Sequence, residues 1–203
     1  MSAPAALVLA RAPGDPLALA ALGLGVEQAA ALQALLIRRA VAWALAVAPA
    51  ASHVAVPGDP AAVAALLPAG VAVLAGEEPA EAVERVGRGP LLIARAGCPR
   101  LGAEHAAAAL DDLRAGCAVA FGATLDGGWY LAALREPRPE LLAVVPERID
   151  RIEGIAGVAR RARALGVEVG MLRHERMLAT PADAAALLAD PLLAPDVRAA
   201  IAG

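Results

Sequence analysis

Short apolar runs at residues 6–10, 53–56, 71–74, 91–94, 118–121 and 167–172 recur along the chain with helical stretches between them. Each is of strand length and shows little polar alternation. A strand covered on both faces reads this way, whereas a strand with one wet face alternates. Parallel neighbours of that kind need a crossover, usually a helix, to join them. The chain is therefore expected to be an α/β protein, an open, doubly wound, mostly parallel sheet with helices on both faces. With 203 residues and neither linker nor repeat, a single domain over 1–203 is expected.

The helical stretches carry their own signals. Over residues 26–47, Glu27 and Arg38 are eleven apart, as are Gln28 and Arg39, and ~3.6 residues per turn puts each pair on one solvated side. The rest of that stretch is Ala and Leu, apolar enough to resemble a membrane span. Arg38 and Arg39 would lie near its centre, at roughly 2.5–3.5 kcal/mol each, so a buried helix is the better reading. Arg160, Arg161 and Arg163 before Gly166 mark a helix C-terminus, and Thr180-Pro181-Ala182-Asp183 has the form of a capping box with Pro at the first helical position. A turn is expected at Pro57-Gly58-Asp59-Pro60. Glu77 and Glu78 are expected to begin a helix, and Asp111 and Asp112 to lie on a solvated helical face.

Composition narrows the function classes. Hydrophobic residues make up 59% of the chain but aromatics only 2%, so the core must be built from Leu, Val, Ile and Ala. All 18 basic residues are Arg, with no Lys and no Asn, a bias of the kind GC-rich coding produces. A net charge of -3 argues against nucleic acid as a partner, since phosphate backbones are held by clustered cations. No basic region precedes the first apolar run, so no signal peptide and no membrane association are expected, and a cytoplasmic location is. Cys98 and Cys117 fall at the end of one expected strand and the start of the next, at opposite edges of a parallel pair. That is too far for a disulfide, and both are expected to be reduced core residues. His53, His105 and His174 show no metal-ligand spacing and read as incidental. Ser2 and Ser52 are the only serines, which leaves hydrolase readings without a nucleophile.

In open α/β sheets, ligands bind beyond the carboxyl ends of the strands. Three segments stand there: Arg11-Ala12-Pro13-Gly14, Arg95-Ala96-Gly97-Cys98-Pro99 and Asp126-Gly127-Gly128-Trp129-Tyr130. Taken alone, Asp126-Gly127-Gly128 is also an ordinary hairpin turn, and Trp129 and Tyr130 are either pocket residues or core anchors.

With these segments in place, the chain resembles bacterial GT-A-like transferases of a family often labelled glycosyltransferases of arsenosugar biosynthesis. That family is similar in fold to molybdenum-cofactor guanylyltransferases and sugar nucleotidyltransferases. The resemblance covers about residues 7–190 and is strongest over 91–134. There the family pattern is a strand, Gly-Thr-Asp-Cys-Pro, a helix, a second strand and Asp-Gly-Gly-Tyr-Tyr-Leu. Arg95-Ala96-Gly97-Cys98-Pro99 half-keeps the first motif, and Asp126-Gly127-Gly128-Trp129-Tyr130-Leu131 keeps the second. The resemblance implies a nucleotide-diphospho-sugar transferase-like fold and a nucleotide-dependent glycosyl or nucleotidyl transfer.

The departures bear on chemistry. The family's acid before Cys-Pro, which looks like its metal ligand, corresponds to Gly97. Its later Asp-Val-Asp-Thr-Pro corresponds to Met177-Leu178-Ala179-Thr180-Pro181, and its basic phosphate-holding segment to residues 14–24, which contain no basic residue. Mg²⁺ is usually held by one or two carboxylates plus substrate phosphates, so no metal ligand and no cofactor are expected here. Arg11 and Arg95 are the remaining candidates for phosphate oxygens, since a guanidinium can clamp them in bidentate fashion. Both also read as surface arginines paired with nearby acids. Asp126 is the candidate catalytic acceptor, with Gly127, Gly128, Trp129 and Tyr130 beside the substrate. Two functional readings stand. One is a transferase-family enzyme that works without metal or is impaired; the other is a non-catalytic module that binds a small ligand or docks a protein partner, a second copy of the chain included.

Overall fold

A computed structural model of the chain describes residues 2–15, 19–57, 60–76, 79–145 and 152–203. Its elements run β1 (Ala5–Leu9), α1 (Val26–Val47), β2 (Ser52–Val56), α2 (Ala61–Ala64), β3 (Ala72–Ala75), α3 (Pro79–Arg85), β4 (Leu91–Arg95), α4 (Ala103–Ala115), β5 (Val119–Thr124), β6 (Trp129–Leu134), α5 (Pro139–Leu142), α6 (Ile152–Leu165), β7 (Val169–Glu175), α7 (Pro181–Ala189) and α8 (Pro195–Ala202). The 7 strands form one sheet in the order β3, β2, β1, β4, β6, β5, β7. β1 lies parallel to β2 and β4, β2 to β3, and β5 to β7, while β6 runs antiparallel to β4 and β5.

The mixed, mostly parallel α/β sheet agrees with the periodicity, and every expected strand is present with its limits within 3 residues. β6 was not expected. It arises because the Gly127 N–H donates to the Thr124 carbonyl at 3.0 Å and the Thr124 N–H to the Gly128 carbonyl at 2.9 Å. Gly127 has a φ of 89°, which closes a three-residue hairpin loop that can only return the chain antiparallel. β6 then inserts between β4 and β5, which sequence order alone would make neighbours. Cys98, after β4, and Cys117, before β5, accordingly stand at opposite edges with a strand between them, and both are free thiols. Cys98 is buried as expected. Cys117 is only half-buried, because it sits in the connection entering β5 and not in the strand itself.

Both faces of the sheet are covered. Ala6, Val8, Val54, Leu92 and Ala94 pack against Ile37, Val41 and Ala44 of α1 and Ala109 and Leu113 of α4. Leu7, Leu91, Ile93, Phe121 and Leu134 pack against Val83 of α3, Leu141 of α5 and Val158 and Ala162 of α6. Alternate residues of β1 and β4 thus enter opposite cores, which is why those strands read as continuously apolar. A third core joins Leu32 and Leu36 of α1 to Leu187 of α7 and Val197 and Ile201 of α8.

That third core corrects the reading of α1. The helix has the expected limits, and Glu27 and Arg38 are exposed. Gln28 and Arg39, however, face α8: Gln28 Nε2 donates to the Ala200 carbonyl at 3.4 Å, and Arg39 pairs with Asp196 at 3.0 Å. α1 is long and apolar enough to cross a membrane, and in this fold it is packed against β1, β2, α4 and α8. The α7 cap forms as read, with the Thr180 hydroxyl accepting from the Asp183 N–H at 3.2 Å and an Asp183 carboxylate oxygen accepting from the Thr180 N–H at 3.0 Å. Gly166, with φ 64°, follows α6 in the left-handed conformation. Gly58, Asp59, Glu77 and Glu78 lie outside the described residues.

One close approach fixes the β5–β6 pair. The ring of Tyr130 lies across Gly122, where an added Cβ would come within 2.2 Å of Tyr130 Cε1. Gly122→Ala should therefore destabilise the fold by about 1–3 kcal/mol, the usual cost of overpacking. A urea titration should show a lowered midpoint; an unchanged midpoint would mean that the ring moves aside freely.

Candidate functional site

The carboxyl ends of β1 and β4 lie side by side, because Leu9 pairs with Arg95 in the parallel register. Arg11 follows β1 directly. Its guanidinium pairs with Asp15 at 3.1 Å and is about half exposed, and its carbonyl accepts from Gln33 Nε2 of α1 at 3.2 Å. Arg95 closes β4 and holds its Cζ 4.4 Å from the centre of the Trp129 ring, a cation–π arrangement that orients the guanidinium plane. Trp129 begins β6, the antiparallel neighbour of β4, so the hairpin itself brings Trp129 to Arg95.

Asp126 is exposed at the tip of that hairpin, Gly127 is buried and Gly128 is half-buried. The Asp-Gly-Gly segment is thus a hairpin turn standing at the carboxyl edge of β1 and β4. Trp129 and Tyr130 are both buried. Tyr130 has no exposed surface, stacks edge-on against His105 at 5.2 Å and donates its hydroxyl to the Arg173 carbonyl at 3.1 Å. Burial is the first cause that raises its hydroxyl above the ordinary tyrosine range. Among the candidates, Arg95 and Trp129 are in contact, while Arg11 and Asp126 occupy the same edge with β4 and β6 between them.

Sequence positions 97 and 177, eighty apart in the chain, meet in space. The Leu178 N–H donates to the Gly97 carbonyl at 3.0 Å, and a Cβ at Gly97 would come within 2.8 Å of Met177 Cε. Both positions correspond to acids in the family pattern that the sequence resembles. Here one offers no side chain, its carbonyl is already engaged, and the other presents a thioether methyl. Hard cations such as Mg²⁺ require oxygen ligands, so this donor set does not fit one. Among the described residues no group of three or more His, Cys, Asp or Glu side chains could hold a metal ion.

Beneath this edge is a polar cluster that sequence reasoning missed. His105 and Glu175 are both buried, with His105 Nε2 3.0 Å from Glu175 Oε1. His105 Nδ1 accepts from the Gly102 N–H at 3.0 Å, and Arg173 Nε approaches His105 Nε2 at 3.1 Å. Arg173 Nε reaches the same Glu175 oxygen at 2.9 Å. Arg100 lies 3.9 Å from the other Glu175 oxygen and pairs with Asp190 at 2.8 Å. A buried carboxylate needs such partners, since an unpaired one costs several kcal/mol. The available signal was local: His105 is the third residue of α4, where a side chain can reach back to the helix's first free N–H. Glu175 is 70 residues away and carried no signal at all.

The cluster fastens the segment after β4 to the one after β7. Trp43 Nε1 of α1 adds a bond to the Gly102 carbonyl at 3.1 Å. Cys98 is enclosed in the same place, and its thiol is pushed up to about 12, first by burial.

Comparison with known proteins bears on the fold. A family model described as an uncharacterized protein conserved in bacteria (DUF2064) matches residues 31–147. No curated protein matches the chain. Among solved structures, a candidate nucleotide-diphospho-sugar transferase from Desulfovibrio desulfuricans G20 is similar with a TM-score of 0.79 at 21% identity, over 100% of this chain and 95% of the other. The 4-diphosphocytidyl-2C-methyl-D-erythritol synthase of Anaerococcus prevotii DSM 20548 has a TM-score of 0.55 at 10% identity, over 90% and 95% of the two chains. The 2-C-methyl-D-erythritol 4-phosphate cytidylyltransferase of Thermus thermophilus has a TM-score of 0.50 at 15% identity, over 98% and 100%. At these identities the likeness is one of fold, and the fold is nucleotide-diphospho-sugar transferase-like, as the sequence resemblance implies.

Because thiolate is the reactive form, a buried thiol with so high a pKa should resist alkylation. Iodoacetamide at pH 8 should modify Cys117 in the folded protein and reach Cys98 only after denaturation, as read by peptide mass spectrometry. Equal labelling of both would show that the segment after β4 opens readily.

Proposed function

The chain belongs to the DUF2064 family of proteins conserved in bacteria, whose model spans more than half of it, and from that premise we propose that its carboxyl edge binds a nucleotide through arginine in place of a metal ion. The ligand class is a nucleotide sugar or nucleoside triphosphate, and the reaction class is glycosyl or nucleotidyl transfer, metal-independent and slow. The observation that carries this reading is the meeting of Gly97 with Met177, which leaves no carboxylate at two adjoining positions.

Transfer from a nucleotide requires the charge on the departing phosphate oxygens to be neutralised by preorganised groups. Arg95, oriented by Trp129, and Arg11, which can exchange Asp15 for a phosphate, are cations that stand at the ends of β4 and β1. Asp126, exposed at the hairpin tip, is placed to accept a hydrogen bond from a sugar hydroxyl. A second reading is favoured by the Met177 methyl itself: a thioether filling the cation position suits a module that keeps the pocket for binding and has given up catalysis.

Calorimetric titration of the protein with uridine diphosphate sugars, CTP and GTP, with and without Mg²⁺ or Mn²⁺, tests the proposal. At least one nucleotide should bind with an affinity that metal leaves nearly unchanged. Arg11→Ala combined with Arg95→Ala should weaken it at least about tenfold, the effect expected for charged hydrogen bonds. Silence across the panel would remove the nucleotide reading, and binding without turnover would select the non-catalytic one.

A second variant tests the metal argument directly. Gly97→Asp alone collides with Met177, so the pair Gly97→Asp and Met177→Asp is needed to build adjacent carboxylates. The double variant should gain a Mn²⁺-dependent rise in melting temperature that the natural protein lacks. Strong Mn²⁺ stabilisation of the natural protein, abolished by blocking this edge, would refute the metal-free reading.

A further inference from the structure

The opposite edge of the sheet carries a concave site. Ala5 of β1 pairs with Leu91 of β4, and Leu91 pairs with Leu134 of the antiparallel β6. This register brings three segments together: the residues ahead of β1, those ahead of β4, and those that follow β6. Between them lies a cavity of about 540 Å³, lined by Arg88, Arg135, Arg138, Glu136, Ser2 and Gly89 among others. Small-molecule sites usually span ~300–1,000 Å³.

The charge of this lining runs against that of the chain. The protein is net -3, yet three arginines and one glutamate face one cavity. Arg135 is half-buried and its fork is preset, because Nη2 donates to the Leu113 carbonyl of α4 at 2.9 Å. Arg138 makes a loose contact with Glu136, at 3.8 Å between side chains that are both more than half exposed, and such a pair holds little. Arg88 is exposed and makes no ion pair among the described residues. At Gly89, φ is 102° and a Cβ would fall 2.6 Å from Ser2 Oγ, so the absence of a side chain there keeps the Ser2 hydroxyl at the cavity wall.

We infer that this cavity is a second ligand site, separate from the carboxyl edge, for a small molecule bearing two or more phosphate groups. Guanidinium groups match phosphate oxygens in bidentate geometry, and three of them, Arg88 ahead of β4 and Arg135 and Arg138 after β6, suit several anionic groups better than one. The volume is more than a single orthophosphate fills. Inorganic pyrophosphate and an organic bisphosphate share this chemistry.

The site is tested in the Arg11→Ala/Arg95→Ala background, which removes the phosphate-binding groups proposed for the other edge. Pyrophosphate, orthophosphate and fructose 1,6-bisphosphate are titrated separately at low salt. Pyrophosphate or the bisphosphate should bind at least about tenfold more tightly than orthophosphate, and the tighter of the two identifies the source. Arg88→Ala, an exposed change that leaves the fold intact, should weaken that binding at least about tenfold. Arg114→Ala, which removes a partner of Asp111 on α4, should leave it unchanged. No binding in this background, or binding that survives Arg88→Ala together with Arg138→Ala, overturns the inference. The nucleotide proposal stands or falls separately, since its titrations depend on Arg11 and Arg95.

Discussion

The buried contact between His105 and Glu175 is the constraint on which the candidate site depends. It joins the start of α4 to the end of β7, two elements that sequence separates widely. Because Glu175 is enclosed, its charge must be met from within, and His105, Arg173 and Arg100 meet it from three directions. The connection after β4 that contains Gly97 and the one after β7 that contains Met177 lie beside this cluster and touch each other. The bond from the Leu178 N–H to the Gly97 carbonyl follows from that closeness. At this meeting point Gly97 offers no side chain and Met177 offers a thioether.

The sheet makes two chemically different edges from one set of strands. Parallel β1 and β4 deliver Arg11 and Arg95 to the carboxyl edge. The antiparallel β6 begins at that edge with Trp129 and ends at the other with Leu134, so Arg135 and Arg138 are carried to the amino ends of β1 and β4. Reversal of one strand thus places arginines at both ends of the same layer. With no lysine in the chain, every cationic contact is made by a planar, permanently charged fork, which favours bidentate partners over diffuse ones.

Three of the four aromatic residues hold particular positions. Tyr130 fills the space over Gly122 and closes against His105; Trp129 backs Arg95; Trp43 ties α1 to the Gly102 carbonyl. Elsewhere the cores are Ala, Val, Leu and Ile, whose small volumes let α1 and α4 lie close on the sheet. The third core, between α1, α7 and α8, covers a helix face that the spacing of Gln28 and Arg39 marked as wet. Polar residues at an eleven-residue interval describe a face, and the occupant of that face, here Asp196 and the Ala200 carbonyl, is a tertiary matter.

What the sequence by itself determined is local. Apolar runs of strand length, the 26–47 helix, the Thr180 cap and the left-handed Gly166 all arise from interactions within a few residues, and each is legible because the physics is short-ranged. The Asp126-Gly127-Gly128 turn was legible too, yet the strand after it was not placed, since a hairpin's reversal reorders the sheet only when the partner strands are known. The meeting of Gly97 with Met177, the enclosure of Glu175 by His105, and the convergence of Arg88, Arg135 and Arg138 were decided by the tertiary structure alone. Each joins residues far apart in the chain through strand order and register, and no pattern of neighbouring side chains encodes which distant backbone will lie beside them.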